Sequence, residues 1–204
     1  MTSSDHQKPA RAWQRMLSGR RLDLLAPAPQ DIAIEDIAHG LARVARWNGQ
    51  TSGAHAFSVA QHSLIVTDIV AHLNADFDAP YLRAALLHDA PEYVIGDLIS
   101  PFKSAIGLDY KAFEMRLLAA IHERFDIPRQ LDDKTNTAIK TADRIAAFYE
   151  ATGLAGFSVE EAHLFFGAFE LPKLLSDRLR DLAPLPANEA QTAFLQRFSS
   201  LAGN

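Results

Sequence analysis

Apolar residues recur at intervals of three and four along most of the sequence. Clear runs are Ile34, Ile37, Leu41 and Val44; Val59, Val66, Ile69 and Leu73; and Phe113, Leu117, Ala120 and Ile121. This spacing places apolar side chains on one face of an α-helix, whereas the two-residue alternation of a half-buried strand is nearly absent. The pattern predicts an all-α fold of about eight helices.

Capping residues locate several helix boundaries. Ser158 followed by Glu161 has the spacing of a capping box, in which each residue satisfies a backbone N–H of the other. A further helix is predicted to begin near Asp132 and to end at Gly153, because glycine commonly follows or closes a helix. These signals support the helical interpretation independently of the apolar spacing.

The segment Gly19–Ile34 is the main non-helical exception. It carries prolines and few helix signals, and a short strand is predicted over Arg21–Leu25. We expect one domain over residues 1–204, with a core of about 31–155 and with C-terminal helices over 157–201 packed on it.

Composition excludes several classes of protein. The chain has 204 residues, of which 48% are hydrophobic and 22% are charged, as in ordinary globular proteins. No apolar run is long enough for a membrane span, and the polar start does not resemble a secretory signal, so a cytoplasmic protein is expected. A net charge of -5 without clustered lysine and arginine argues against binding a nucleic-acid polymer.

Four polar residues are predicted to face the protein interior. His62 lies on the apolar stripe of its helix, three residues after one valine and four before another, and Asp143 lies on the buried side of a second helix. His88 and Asp89 follow the apolar end of a third helix. Burying an isolated carboxylate costs several kcal/mol unless it is paired or binds a cation. A shared metal ion would satisfy all four residues, and the absence of cysteine leaves histidine and carboxylate as its protein ligands.

Each of these residues has an ordinary structural explanation when taken alone. A single histidine such as His62 is more often a hydrogen-bonded core residue. Asp143 could pair with Arg144 or Lys140. The ordered combination of a histidine, a His-Asp pair and an aspartate on three helices favours metal binding. Nitrogen and oxygen ligands suit Mn, Co, Fe, Zn or Ni better than Mg, although Mg also stays a candidate.

Four motifs in this order resemble the HD-domain metal-dependent phosphohydrolases, and among them the YfbR-type bacterial 5'-deoxynucleotidases and their prophage-associated relatives. The motifs are Arg46-Trp47, SVAQHS around His62, LLHDAPEYVIGDLISPFK from residue 86, and KTADRIAAFYE around Asp143. The resemblance covers roughly residues 31–155 and implies an all-α HD-domain fold.

The resemblance also implies roles for individual residues. One divalent metal ion would be held by His62, His88, Asp89 and Asp143. Glu92 and Asp97 would perform the acid–base chemistry. Arg46 would grip the phosphate, and Trp47 would lie against the sugar where a 2'-hydroxyl would collide. Both of these residues are expected at the end of the helix formed by the first apolar stripe.

The proline inside the LLHDAPEYVIGDLISPFK motif suggests how its acids reach the metal. Pro91 lacks the N–H that would continue the helix, so it favours a bend that turns Glu92 and Asp97 towards the same cavity. Two further residues, Lys103 and His55, are candidate phosphate-binding cations, although Lys103 could equally be a solvated side chain.

We therefore expect a phosphohydrolase acting on small nucleotides, specifically a 5'-deoxynucleotidase that releases phosphate from deoxynucleoside monophosphates. One alternative is a deoxynucleoside triphosphate triphosphohydrolase, which would need more cations around the site. Another is a non-catalytic nucleotide-sensing module, although such a module has no need of Glu92 and Asp97. A homo-oligomer, in the first place a dimer, is expected.

Overall fold

The computed structural model describes residues 12–98 and 108–202, and these residues form a mainly helical protein. Two short strands, β1 (Trp13–Arg15) and β2 (Arg21–Asp23), pair antiparallel near the N-terminus. Nine helices follow within the described ranges: α1 (Ile34–Leu41), α2 (Val59–Leu73), α3 (Ala79–Leu86), α4 (Glu92–Ile95), α5 (Leu108–Arg124), α6 (Asp133–Gly153), α7 (Val159–Phe166), α8 (Lys173–Arg180) and α9 (Ala187–Leu201). The predicted all-α class is confirmed.

The predicted caps of the two helices after residue 130 are present. The Asp132 carboxylate accepts a hydrogen bond from the Thr135 N–H at 2.7 Å, and α6 ends at Gly153. At the start of α7, the Ser158 hydroxyl accepts from the Glu161 N–H at 3.1 Å, while the Glu161 carboxylate accepts from the Ser158 N–H at 2.8 Å. These local bonds satisfy N–H groups that have no partner within the helix.

Helix α2 lies at the centre of the bundle. It packs against α3, α6 and α9, and its side chains are buried over most of its length. The largest fully buried side chains of the molecule are Phe57, Phe194, Leu22, Ile32, Ile37, Leu41, Ile69, Leu86, Leu87, Leu117, Ile121 and Ile145. A polar residue on α2 that faces its neighbours is therefore held in a rigid, dry environment.

Helix α1 ends earlier than its apolar stripe predicts. After Leu41 the chain leaves the helix, and the Arg46 N–H donates to the Phe57 carbonyl at 2.8 Å, beside an antiparallel bridge between Ala45 and Ser58. This pairing carries Arg46 into a separate 3-10 turn over Arg46–Gly49. The prediction that Arg46 and its neighbour stand at a helix end is wrong, because a non-local backbone pairing replaces the last helical turn.

Helices α1 and α4 approach very closely at a glycine. A Cβ atom added to Gly40 would lie 2.7 Å from the Tyr93 Cβ and 2.9 Å from the Tyr93 carbonyl oxygen. Only a residue without a side chain allows this approach, which sets the position of α4 beside α1. Within the described ranges, every helix is too short or too polar to span a bilayer.

Candidate metal centre

Three of the predicted ligands form one compact group. His62 is on α2, His88 lies in the turn after α3, and Asp143 is on α6; one potential ligand atom from each lies within 4.8 Å of the others. Asp89 lies beside both histidines, with its Oδ2 at 3.5 Å from His62 Nε2 and 3.2 Å from His88 Nε2. The fold thus brings all four predicted ligands to one place from three segments of the chain.

The donor atoms of this group fit a divalent metal ion. Nε2 of His62 and Nε2 of His88 are buried and make no hydrogen bond among the described residues, although carboxylate oxygens of Asp89 and Asp143 lie 3.2 to 3.5 Å away. Two ligands that each lie about 2.1 Å from one ion are separated by roughly 3 to 4 Å. Buried polar atoms normally have partners, so these open nitrogens are the atoms that an ion would satisfy.

Both imidazole rings are oriented by contacts on their other nitrogen. Nδ1 of His88 lies 2.8 Å from the Ala85 carbonyl oxygen, which can only accept, so this nitrogen carries the proton. Nδ1 of His62 lies 2.6 Å from Oε1 of Glu150. A donated proton on Nδ1 leaves the lone pair of Nε2 facing the group, as metal ligation requires.

Glu150 belongs to this site although the sequence did not predict it. Its side chain is 0% exposed. Its Oε2 accepts hydrogen bonds from Nε and Nη2 of Arg46, at 3.2 and 3.1 Å, and from Nε1 of Trp47 at 2.9 Å. A signal was present, because Glu150 follows Asp143 by seven residues, about two helical turns, and so lies on the same face of α6.

Opposing effects set the charges of this buried group. Burial and the Arg46 charge lower the pKa of His62, but Glu150 and Asp143 outweigh them and raise that pKa to about 10. Burial raises the pKa of Glu150, but Arg46 and His62 outweigh it and lower that pKa to about 2. Burial also raises the pKa of Asp89, and the neighbouring charges of His88, His62 and Arg46 reverse this to a net lowering. Without a metal ion, a proton on His62 compensates the surrounding carboxylates.

Arg46 joins the candidate ligands to one of the predicted catalytic acids. Its Nη1 lies 3.9 Å from Oδ2 of Asp89 and 3.9 Å from Oδ2 of Asp97. Glu92, the other predicted acid, is the first residue of α4 and is only 1% exposed. Gly96 has φ of 77°, a conformation that suits glycine and lets the chain turn before Asp97.

Trp47 has an unusual backbone conformation beside the site. Its φ and ψ are 57° and 28°, and the next residue, Asn48, has 50° and 31°. The indole ring lies 5.6 Å from the Phe157 ring and 6.1 Å from the Phe166 ring, measured between centroids. Left-handed backbone is costly for a bulky residue and is found where the surroundings hold it in place, often at functional sites.

One predicted phosphate-binding residue, His55, does not join this group. His55 is exposed and lines a surface cavity together with Arg43, Val44 and Ser58, and the residues around that cavity include none of the other predicted site residues. Lys103 lies outside the described residues.

The fold and this cluster define an all-α protein with a partly buried histidine and aspartate group that could hold a metal ion. No family model matches the chain. The chain is similar to an uncharacterized protein of Rhodobacter capsulatus, with 54% identity over 189 residues that cover 92% of this chain and 94% of the relative. This chain therefore belongs to the same family as that protein.

Proposed function

We propose that this protein is a metal-dependent phosphohydrolase of (deoxy)nucleotides, specifically a 5'-deoxynucleotidase that converts deoxynucleoside monophosphates and water into deoxynucleosides and phosphate. The observation that supports it best is that the guanidinium of Arg46, a group suited to binding phosphate, lies beside potential metal ligands. Nη1 of Arg46 lies 3.9 Å from a carboxylate oxygen of both Asp89 and Asp97, and Asp89 contacts both His62 and His88.

The proposed chemistry divides among residues of this chain. A divalent ion held by His62, His88, Asp89 and Asp143 supplies positive charge for a phosphate oxygen and makes water more acidic. Glu92 orients the attacking water and accepts its proton. Asp97 protonates or positions the leaving 5'-oxygen, and the proton that Glu92 takes from water replaces the one delivered to that oxygen, so the total number of protons is unchanged.

Arg46 contributes the phosphate contact. Its Nε and Nη2 edge faces Glu150, so the remaining donors on Nη1 are the ones directed towards Asp89 and Asp97. A phosphate placed there meets a planar cation that stays charged at every relevant pH. The side chain is only 14% exposed, which strengthens its interaction with an anion relative to a solvated arginine.

The cations that the structure describes at the site favour a monophosphate substrate over a triphosphate. Among the described residues, Arg46 is the one arginine or lysine that forms ion pairs with the carboxylates of the cluster. A triphosphate carries more negative charge and needs more cationic contacts. The triphosphohydrolase is therefore the second candidate, and the nucleotide-sensing module is the third.

A product screen tests the proposal. The purified protein is incubated with deoxyribonucleoside and ribonucleoside mono- and triphosphates in the presence of Mn²⁺, Co²⁺, Mg²⁺ or Zn²⁺. We expect inorganic phosphate from deoxynucleoside monophosphates. Release of intact triphosphate would identify the second candidate instead, and nucleotide binding without any product would identify the sensing module.

Variants connect the activity to the site. His62→Ala should lose both bound metal and turnover. His72 is an exposed histidine on the same helix, and His72→Ala should lose neither. Glu92→Gln should keep the metal and lose turnover by about 10² to 10⁴, the usual effect of removing a proton-transfer group. Full metal content in His62→Ala, or a normal rate in Glu92→Gln, would contradict these assignments.

A further inference from the structure

Building on the metal ion of the proposed function, we infer that Glu150 is a positioning residue. It holds His62 in the one tautomer that can bind the ion and directs Nη1 of Arg46 towards the phosphate. Glu150 contacts neither substrate nor reacting atoms in this scheme. It acts through the two residues that do.

The contacts of Glu150 are divided between its two oxygens. Oε1 lies 2.6 Å from Nδ1 of His62. Oε2 receives the Nε and Nη2 donors of Arg46 and the Nε1 donor of Trp47. One oxygen therefore serves the candidate metal ligand, and the other serves the residues proposed to contact phosphate and sugar.

An ionised carboxylate can only accept hydrogen bonds, and this property fixes the tautomer of His62. Because Glu150 cannot donate, Nδ1 of His62 must carry the proton of their 2.6 Å hydrogen bond. The lone pair then belongs to Nε2, the atom that lies beside Asp89 and Asp143. Carboxylates in this outer position both orient a ligating histidine and increase its basicity.

The same carboxylate restricts the rotation of Arg46. Nε and Nη2 of Arg46 both donate to Oε2 of Glu150, and these two bonds hold the guanidinium in one orientation. In that orientation Nη1 lies 3.9 Å from both Asp89 and Asp97. Glu150 is itself fully buried on α6, the helix that also carries Asp143. The position of α6 therefore determines both the orientation of the candidate ligand His62 and the direction of Nη1 of Arg46, the proposed phosphate contact.

A simpler role for Glu150 would be to fill space or to neutralise the buried Arg46. Two substitutions separate space filling from positioning, and a double variant that also removes the Arg46 charge separates neutralisation from positioning. Glu150→Gln keeps the size of the side chain, but its amide can donate to Nδ1 of His62 and so place the imidazole proton on Nε2. Glu150→Asp is smaller but remains an acceptor. Positioning requires Asp to retain more metal affinity than Gln, whereas space filling requires the reverse.

The experiment measures Co²⁺ affinity by calorimetry and the visible Co²⁺ spectrum, which reports the ligand geometry. We expect Glu150→Gln to bind Co²⁺ about 10 to 100 times more weakly than the parent, with an altered spectrum, and Glu150→Asp to fall between them. Glu92 is a buried carboxylate whose backbone N–H donates to the Asp89 carbonyl, so Glu92→Gln is the matched control and should keep the parent affinity.

The double variant Arg46→Gln/Glu150→Gln keeps the test decisive if Glu150→Gln does not fold, since it contains no uncompensated buried arginine. It should still bind Co²⁺ weakly. Parent-like affinity in either Gln variant, or weaker binding by Glu150→Asp than by Glu150→Gln, would overturn the inference, as would a parent protein that binds no metal at all. A parent that binds Co²⁺ but hydrolyses no nucleotide would refute the proposed function, while the order of affinities would still decide the role of Glu150.

Discussion

At the scale of single residues, Trp47 is held from two sides. Its indole N–H bonds Glu150 in the interior, and its ring packs against Phe157 and Phe166. A tryptophan in left-handed backbone costs on the order of 1 to 3 kcal/mol, so these contacts must outweigh the strain. The result is a large, rigid ring beside Arg46, where the sugar of a bound nucleotide is proposed to lie.

This rigidity leads to a prediction about sugar selectivity. Trp47→Ala should narrow the ratio of kcat/KM for dAMP over AMP by about 5- to 150-fold, because a contact with the 2'-position contributes ~1 to 3 kcal/mol of discrimination. Rates are measured for both nucleotides under the same metal conditions.

The control for this variant is Phe165→Ala. Phe165 is 70% exposed and packs against Phe157 and Phe166 in the same aromatic cluster. It should leave the ratio unchanged. If the parent protein hydrolyses dAMP and AMP equally well, Trp47 does not discriminate between the sugars, even if the phosphatase activity is present.

At the scale of elements, the contact between α1 and α4 controls where Glu92 lies. Gly40→Ala would place a methyl group within 3.0 Å of three Tyr93 atoms, two of them in the backbone. We expect the free energy of unfolding to fall by about 1 to 3 kcal/mol or more, the cost of overpacking, and turnover to fall as α4 shifts. Urea denaturation and steady-state rates measure the two effects.

Gly153→Ala is the matched control for this substitution. Gly153 is also in a helix, at the last residue of α6, and an added Cβ would meet nothing within 4 Å. Alanine has the better helix propensity, so stability should be unchanged or higher by up to about 1 kcal/mol. If Gly40→Ala behaves in the same way, the close contact does not determine the position of α4.

The elements also show which parts of the molecule can be predicted from sequence. The Asp132 cap and the Ser158 capping box were predictable because their bonds join residues three apart in the chain. The turn that carries Arg46 was not, because it depends on pairing with residues near Phe57, and no local pattern encodes that pairing.

Some residues of the candidate site could likewise be predicted from the sequence, and one could not. The predicted ligands could be recognised as polar residues on apolar faces, and the structure brings them together. Glu150 was missed because a single acid late in a long helix is usually solvated. Its burial follows from the approach of α2 and of the Arg46 turn, which is a property of the tertiary fold.

At the scale of the whole molecule, the buried charges predict how stability depends on pH. The lowered pKa of Glu150 stabilises the folded state above its ordinary value of 4.5, and this contribution is lost as the pH falls towards about 2. The raised pKa of His62 stabilises the folded state below its ordinary value of 6.5, and this contribution is lost as the pH rises towards about 10. The metal-free protein should therefore have its highest melting temperature between these limits, at about pH 4.5 to 6.5.

A bound metal ion should stabilise the folded protein more strongly as the pH rises. The ion competes with the proton on Nε2 of His62, so the increase in melting temperature caused by saturating Mn²⁺ should grow from pH 6 to pH 8.5. Thermal unfolding with and without Mn²⁺ measures this. In His62→Ala the increase should be absent, and a parent increase that does not vary with pH would show that His62 is not a ligand.

The contacts of the Glu150 carboxylate also limit which substitutions can accumulate during evolution. Its partners come from the turn at Arg46 and Trp47 and from His62 on α2, so three residues in two separate parts of the chain depend on one acid. Losing one member of a buried charged group leaves the others uncompensated, at a cost of about 3 to 5 kcal/mol. A lineage that replaces the acid at this position should therefore also replace Arg46, the buried cation that this acid compensates.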